Sequence, residues 1–280
     1  MLTVHELSGL RQWRADMRSA GKRVAFVPTM GNLHRGHFSL VEQARESADA
    51  VVASIFVNPT QFGPNEDFAS YPRTLSEDQA GLAAAGCDLV FAPDVATMYP
   101  IGVERTVRME VPDVSTGLCG DIRPGHFAGV ATVVARLFNM VQPETAWFGR
   151  KDFQQVLVIR RMVEDLSFPI DLRVGDTVRE ANGLAMSSRN AYLTNAEREQ
   201  AAEIFRTLTA VTESVRAGRR LGLIETAAVD RLQGAGFRVD YVSIRRAADL
   251  SVPTEPNEPG LVVLAAARLG KARLIDNLLI

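Results

Sequence analysis

Apolar positions along the first 175 residues fall into two alternating patterns. Runs that are apolar almost throughout, VAFV (24–27), VVASIFV (51–57), DLVFAP (88–93) and TAWFG (145–149), predict strands covered on both faces, as a parallel sheet requires. Between them the period lengthens. Leu40, Val41, Ala44 and Ala48 share one face of a helix that begins near His37. Val130, Val133, Val134, Leu137, Phe138 and Val141 form a similar stripe, and Val156, Ile159, Met162 and Val163 mark a third helix after Asp152. In TVRMEV (106–111) apolar and polar residues alternate, which predicts a half-exposed strand. Strand–helix alternation at this length predicts an α/β fold with a doubly wound parallel sheet.

The pattern changes after about residue 176. Thr194 followed by Glu197 has the spacing of a capping box. It predicts one long helix with Ala201, Ile204, Phe205, Leu208, Val211 and Val215 on a single face, stopping at Gly218. A shorter helix near 223–233 and two strands, FRVDYVSI (237–244) and LVVLAAARL (261–269), follow, with a turn-rich SVPTEPNEPG (251–260) between the strands. The expected division is a doubly wound domain over 1–176 and a smaller α+β domain over 177–280.

Composition narrows the class. A chain of 280 residues suits two domains, and 46% hydrophobic with 23% charged residues excludes wholesale disorder. Thirty-one Lys and Arg against 33 Asp and Glu leave a formal charge of −2, which argues against a nucleic-acid partner. Cys87 and Cys119 fit neither a disulfide framework nor a zinc ribbon. The longest apolar run, LVVLAAA (261–267), is far short of the roughly 20 residues that cross a bilayer. The first residues show no secretory pattern, so the expectation is a soluble, cytoplasmic protein without a membrane partner.

Four segments carry the candidate chemistry. VPTMGNLHRGHFSLV (27–41) follows the first strand and opens a helix, where N–H groups and the helix dipole favour an anion. Gly31 and Gly36 allow close backbone approach, and His34 and His37, three apart, point to one side to meet phosphate oxygens. Zinc is disfavoured, because Arg35 between the histidines sets a cation beside a cation. FVNPTQFGPNEDFASYPR (56–73) offers Asn58 and Gln61 to a hydroxylated, carboxylated small molecule, although its Asn, Pro and Gly equally suit a plain turn. FGRKDFQQ (148–155) offers Lys151 to phosphate, Asp152 to ribose or magnesium, and Gln155 one turn on. GLAMSSRNAYLT (183–194) offers Ser187, Ser188 and Arg189 as a triphosphate clamp. Arg123 is a further cation, and His126 beside it reads as structural. P-loop, dinucleotide and serine-hydrolase signatures are absent.

Taken together, PTMGNLHRGH, FVNPTQF, KDFQQ and MSSRN, in this order and spacing, resemble the pantothenate synthetase (pantoate–β-alanine ligase) family. That family belongs to the HxGH nucleotidyltransferase superfamily, on a Rossmann-like sheet. The resemblance implies two steps. Pantoate's carboxylate attacks the α-phosphate of ATP, giving pantoyl adenylate and pyrophosphate; the β-alanine amine then attacks the acyl carbon, giving pantothenate and AMP. It places Met30, Gly31, Asn32, Leu33, His34, Arg35, Gly36 and His37 along ATP, with His34 on the phosphates and His37 stabilising the transition state. It places Gly149 and Asp152 at the ribose, with Arg150 beside them. Lys151, Ser187, Ser188 and Arg189 fall on the phosphates, and Val178 and Met186 at adenine. His37, His34 and Lys151 would be catalytic, while Gln61, Gln155, Asn58 and Arg123 would hold the substrates. Mg²⁺, a homodimer and a C-terminal lid are implied as well. Two residues depart from the family pattern: Arg35 and Arg150 stand where acidic residues are usual, and the expectation is added positive charge near the nucleotide. A competing reading is an adenylyltransferase of the same superfamily acting on a phosphorylated acceptor. Another is a nucleotide-binding module without turnover.

Overall fold

A computed structural model describes residues 1–64, 66–256 and 258–280. The chain divides into two compact units. The first comprises Met1–Ser115, Arg123–Gly149 and Val158–Gly175; the second comprises Thr116–Ile122, Arg150–Leu157 and Asp176–Ile280.

The first unit is built on a parallel sheet of six strands: β1 (Leu2–Val4), β2 (Val24–Thr29), β3 (Ala50–Ile55), β4 (Leu89–Phe91), β5 (Thr145–Gly149) and β6 (Asp171–Gly175). Their spatial order is β1-β4-β3-β2-β5-β6. From β2 the chain runs one way through β3 to β4, then crosses to β5 on the other side of β2, so the switch point lies beside β2. The helices around it are α1 (Leu7–Ser19), α2 (Arg35–Ser47), α3 (Leu75–Ala84) and α4 (Val95–Met98). A short α5 (Cys119–Ile122) lies in the second unit, and α6 (His126–Val141) is the core helix of the first. β2 and β3 are buried along nearly their whole length, and Val27, Val41, Val51 and Leu82 lie in the core between sheet and helices. α6 is buried nearly all round, which explains why its apolar residues exceed a single stripe.

The half-exposed strand expected over 106–111 does not form. Its groups are held instead by α6: the Met109 N–H donates to the Thr132 hydroxyl at 2.9 Å, and Arg136 Nη1 donates to the Thr106 hydroxyl at 3.0 Å. Val107 is left 74% exposed.

α7 (Phe153–Asp165) begins in the second unit. That unit also holds α8 (Asn195–Ala201), α9 (Glu203–Arg216) and α10 (Leu221–Gly234), with an antiparallel sheet of β7 (Arg238–Arg246), β8 (Leu261–Leu269) and β9 (Ala272–Leu279). The capping box is present: the Glu197 N–H donates to the Thr194 hydroxyl at 3.3 Å, and the Thr194 N–H returns to the Glu197 carboxylate at 2.8 Å. The long helix it opens is broken in two at Ala202. Ile204, Leu208, Val211, Leu232, Ile244 and Val263 pack the core between helices and sheet. Segments 116–122 and 150–157, which sequence reasoning kept with the first 176 residues, group here through hydrogen bonds from Gln154 and Asn277 described below. Among the described residues, no helix is long and apolar enough to cross a membrane.

Candidate functional site

In the first unit, β2 and β3 run in register from Val24 opposite Ala50 to Thr29 opposite Ile55, so the loops leaving their C-terminal ends start side by side. The first of these turns sharply, with Gly31 at φ +84° and Asn32 at φ +50°. A Cβ on Gly31 would stand 3.1 Å from the Asp78 carboxylate and 3.2 Å from Ile55, so glycine suits both the conformation and the approach. Asp78, buried on α3, accepts the Asn32 N–H at 2.9 Å, the Leu33 N–H at 2.7 Å and the Thr74 hydroxyl at 3.2 Å. It shapes the HRGH loop without having been a candidate. In sequence, Glu77 and Asp78 read as ordinary acidic residues in a helix's first turn.

His34 is the N-cap of α2. Its Nδ1 accepts the Gly36 N–H at 3.1 Å, and His37 Nδ1 accepts the His34 N–H at 3.3 Å. The two rings lie 4.1 Å apart, centroid to centroid. Because Nδ1 is the acceptor in each, the ring proton sits on Nε2, a donor suited to an anionic oxygen. Arg35 between them is exposed and bonded to Glu42 at 2.6 Å, so its charge is offset locally.

Asn58 and Gln61 meet in the second loop. Asn58 is 1% exposed, and both ends of its carboxamide are engaged. Nδ2 donates to Gln61 Oε1 at 3.1 Å and to the Gly129 carbonyl at 3.2 Å, while Oδ1 accepts the Tyr99 hydroxyl at 2.6 Å. Gln61 Nε2 lies 3.0 Å from Met30 Sδ, which joins the two loops.

Arg123, a further cation by sequence, is paired in the fold. Its Nε and Nη2 each donate to Glu66 at 2.6 Å, and its Nη1 donates to His126 Nε2 at 2.8 Å. His126 Nδ1 in turn donates to the Gln61 carbonyl at 2.9 Å. Burial pushes the Glu66 carboxyl up, but the Arg123 bonds outweigh it and hold the group at about 2. The Glu66–Arg123–His126 chain thus steadies Gln61 from behind.

The second unit carries the remaining candidates. Lys151 is half-buried, its Nζ 3.5 Å from Asp152. Arg150 pairs with Asp176 at 2.8 Å, so this second departure from the family pattern is also offset. Of the two adjacent glutamines, Gln154 is structural: Nε2 donates to the Thr116 and Gly117 carbonyls at 3.1 and 3.2 Å, and Oε1 accepts the Cys119 N–H at 3.0 Å. Gln155 is left half-exposed. Val178 and Met186 lie opposite one another, the Met186 N–H donating to the Val178 carbonyl at 2.9 Å. The Ser187 hydroxyl accepts the Arg189 N–H at 3.3 Å and so caps the turn Ser188–Tyr192. Two residues near the end of the chain, Asp276 and Asn277, hold this region together and were not foreseen. Among the described residues, no group of three or more His, Cys, Asp or Glu is arranged to hold a metal ion.

Comparison with known proteins agrees over the full length. The profile of the family described as pantoate-beta-alanine ligase matches residues 2–279. A pantothenate synthetase from Xylella fastidiosa (strain 9a5c) is 59% identical over 278 residues, covering 99% of this chain and 98% of its own. The crystal structure of pantothenate synthetase from Thermus thermophilus superposes with a TM-score of 0.92 at 47% identity, covering 99% of each chain. The pantoate-beta-alanine ligase from Francisella tularensis, complexed with beta-gamma ATP and β-alanine, superposes with a TM-score of 0.82 at 32% identity, covering 100% of this chain and 97% of that one. With the histidine pair, the glutamine loop and the Lys–Asp turn in place on this fold, the chain belongs to the pantoate–β-alanine ligase family.

Proposed function

We propose that this chain condenses pantoate with β-alanine, using ATP and passing through pantoyl adenylate, with release of pyrophosphate and then AMP. The observation that carries the reading is the histidine pair at the start of α2, both rings tied through Nδ1 to backbone N–H groups. A carboxylate nucleophile is ionised near neutral pH and needs no general base. The first step therefore calls for alignment and for donors to the charge that grows on the phosphates. His34 and His37 supply such donors in the first unit, where Met30–His37 line the nucleotide. Gln61, braced by Asn58 and by the Arg123–His126 pair, holds pantoate, and β-alanine enters near Gln61 and Asn58. In the second unit, Lys151 and the Ser187–Ser188–Arg189 turn bind phosphates, Asp152 the ribose, Gln155 pantoate, and Val178 with Met186 the adenine.

Magnesium fits this inventory as a partner of ATP, since it favours phosphate oxygens and water over an all-protein cage. Asp152 is the candidate carboxylate for it, and when bound the ion neutralises phosphate charge. A homodimer is carried over from the family resemblance, and a cytoplasmic location from the sequence pattern alone. Light scattering at twice the chain mass tests the first, and cell fractionation tests the second.

The reading is tested by pantoate-dependent exchange of pyrophosphate into ATP in the absence of β-alanine. AMP is the expected final nucleotide, and His37→Ala is expected to lose at least about 10²-fold in exchange rate. Formation of ADP and phosphate, or exchange indifferent to pantoate, would overturn it.

A further inference from the structure

Asp276 and Asn277 are neighbours on β9, 4% and 3% exposed. Burying a carboxylate and a carboxamide is costly unless both are bonded. Asn277 Nδ2 donates to the carbonyls of Arg150 and Lys151, at 2.9 Å each. Asp276 takes a two-pronged bond from Arg179, at 2.5 and 3.0 Å, and also accepts the Asn277 N–H at 2.8 Å. The Arg179 guanidinium lies 4.0 Å from the centre of the Phe205 ring and donates to the Gly183 carbonyl at 3.1 Å. One short stretch of strand therefore grips two segments far apart in sequence. The first is the turn that carries Lys151 and Asp152. The second is the hairpin that places Val178 opposite Met186.

The arrangement leaves one polar atom unsatisfied. Asn277 Oδ1 is buried and has no hydrogen-bond partner among the described residues, a condition that costs about 1–3 kcal/mol. An apolar residue at this strand position would avoid that loss but would release the two carbonyls. The two donations fix the 150–151 turn against the strand.

We propose that Asp276 and Asn277 are the positioning pair for the nucleotide-contacting residues of the second unit. Asn277 acts through the 150–151 turn on Lys151, and Asp276 acts through Arg179 on the Val178–Met186 hairpin. Neither touches a reactant. The proposal rests on the nucleotide roles assigned to Lys151, Val178 and Met186 above.

The test is a double-mutant cycle read by ATP titration calorimetry on the full chain, with kcat and KM measured alongside. Asn277→Ala is expected to weaken ATP binding at least about tenfold, as misplacement of a binding group does. Its KM for β-alanine should stay within twofold of the unsubstituted chain. In a Lys151→Ala background, Asn277→Ala should change ATP binding less than twofold, because the group it positions is gone. Asn277→Ser, which keeps a small hydroxyl able to bond one carbonyl at most, replaces the alanine variant if that one fails to fold. Asp276→Asn, nearly isosteric, should weaken ATP binding while leaving exchange-active protein. Equal losses with and without Lys151, or ATP binding by Asn277→Ala and Asn277→Ser within twofold of the unsubstituted chain, would show that the pair serves stability alone. Failure of the unsubstituted chain to bind ATP would remove the nucleotide reading, and this proposal with it.

Discussion

Gly129 offers a way to move Gln61 without altering any candidate site residue. It lies in α6, where a Cβ would stand 2.6 Å from the Thr60 carbonyl carbon and 2.8 Å from Gln61 Cα. Ordinary contact begins at 3.4 Å, and backbone cannot swing aside as a long side chain can. The Thr60 carbonyl oxygen lies nearer still, so Gly129→Ala must push the Pro59–Gln61 turn away by roughly 0.6–1.0 Å, or shift the helix by as much. The Asn58 bond to the Gly129 carbonyl, 3.2 Å long, would be disturbed by the same movement. Overpacking costs about 1–3 kcal/mol, while replacing a mid-helix glycine by alanine returns about 0.5–1 kcal/mol. The net loss of stability should be about 0–2.5 kcal/mol, small enough for the protein to remain folded. Activity should suffer more, because a displacement approaching 1 Å at a binding group can lower rates by about 10²-fold. We expect kcat/KM for pantoate in the exchange assay to fall about 10- to 100-fold in a protein that still melts cooperatively. Gly222→Ala is the control: it lies in α10 with nothing within 4 Å of the added Cβ, and should be neutral or slightly stabilising. Unchanged pantoate kinetics in Gly129→Ala would refute the idea that α6 sets the position of Gln61.

The remaining predictions concern charge. Arg35→Ala should alter KM for ATP by less than about threefold, because Arg35 is exposed and bonded to Glu42, and such surface pairs contribute little; a change of tenfold or more would restore it as a nucleotide contact. The Glu66–Arg123 pair should be sensitive to acid. The folded Glu66 carboxyl, near 2, lies below its ordinary 4.5, so the stability it contributes is fully present above 4.5 and drains away as pH falls towards 2. With solvent screening allowed for, that contribution is on the order of 1–2 kcal/mol. The gap in urea midpoint between the unsubstituted chain and Glu66→Gln should therefore be wide at pH 6 and fall to about a quarter of that at pH 2.5. A gap independent of pH would mean that the ion pair is not its source.

Much of the architecture could be read from periodicity. Strands β2–β5, helices α2, α6, α7, α9 and α10, and the Thr194–Glu197 cap all follow from local spacing, because burial of one face imposes a period wherever an element packs. The histidine, glutamine and lysine loops were also legible, since glycines, histidines and strand ends mark them locally. The bonding partners were not. Arg123 reads as a free cation until Glu66, 57 residues away, is seen to hold it. Asn58 reads as a polar residue of a turn-rich loop, and only the fold shows Gly129 and Tyr99 engaging its carboxamide. In β9, Asp276 and Asn277 interrupt the apolar pattern, and their burial makes sense only with Arg179 and the carbonyls of 150 and 151 beside them, 97 to 127 residues distant in sequence. The order of residues alone determined which elements form and at which strand ends the polar loops gather, because those depend on neighbours within a turn or two. Tertiary structure decided which of those polar groups remain available for chemistry, because a buried donor or acceptor is satisfied by whatever lies within about 3 Å in space, however far off along the chain.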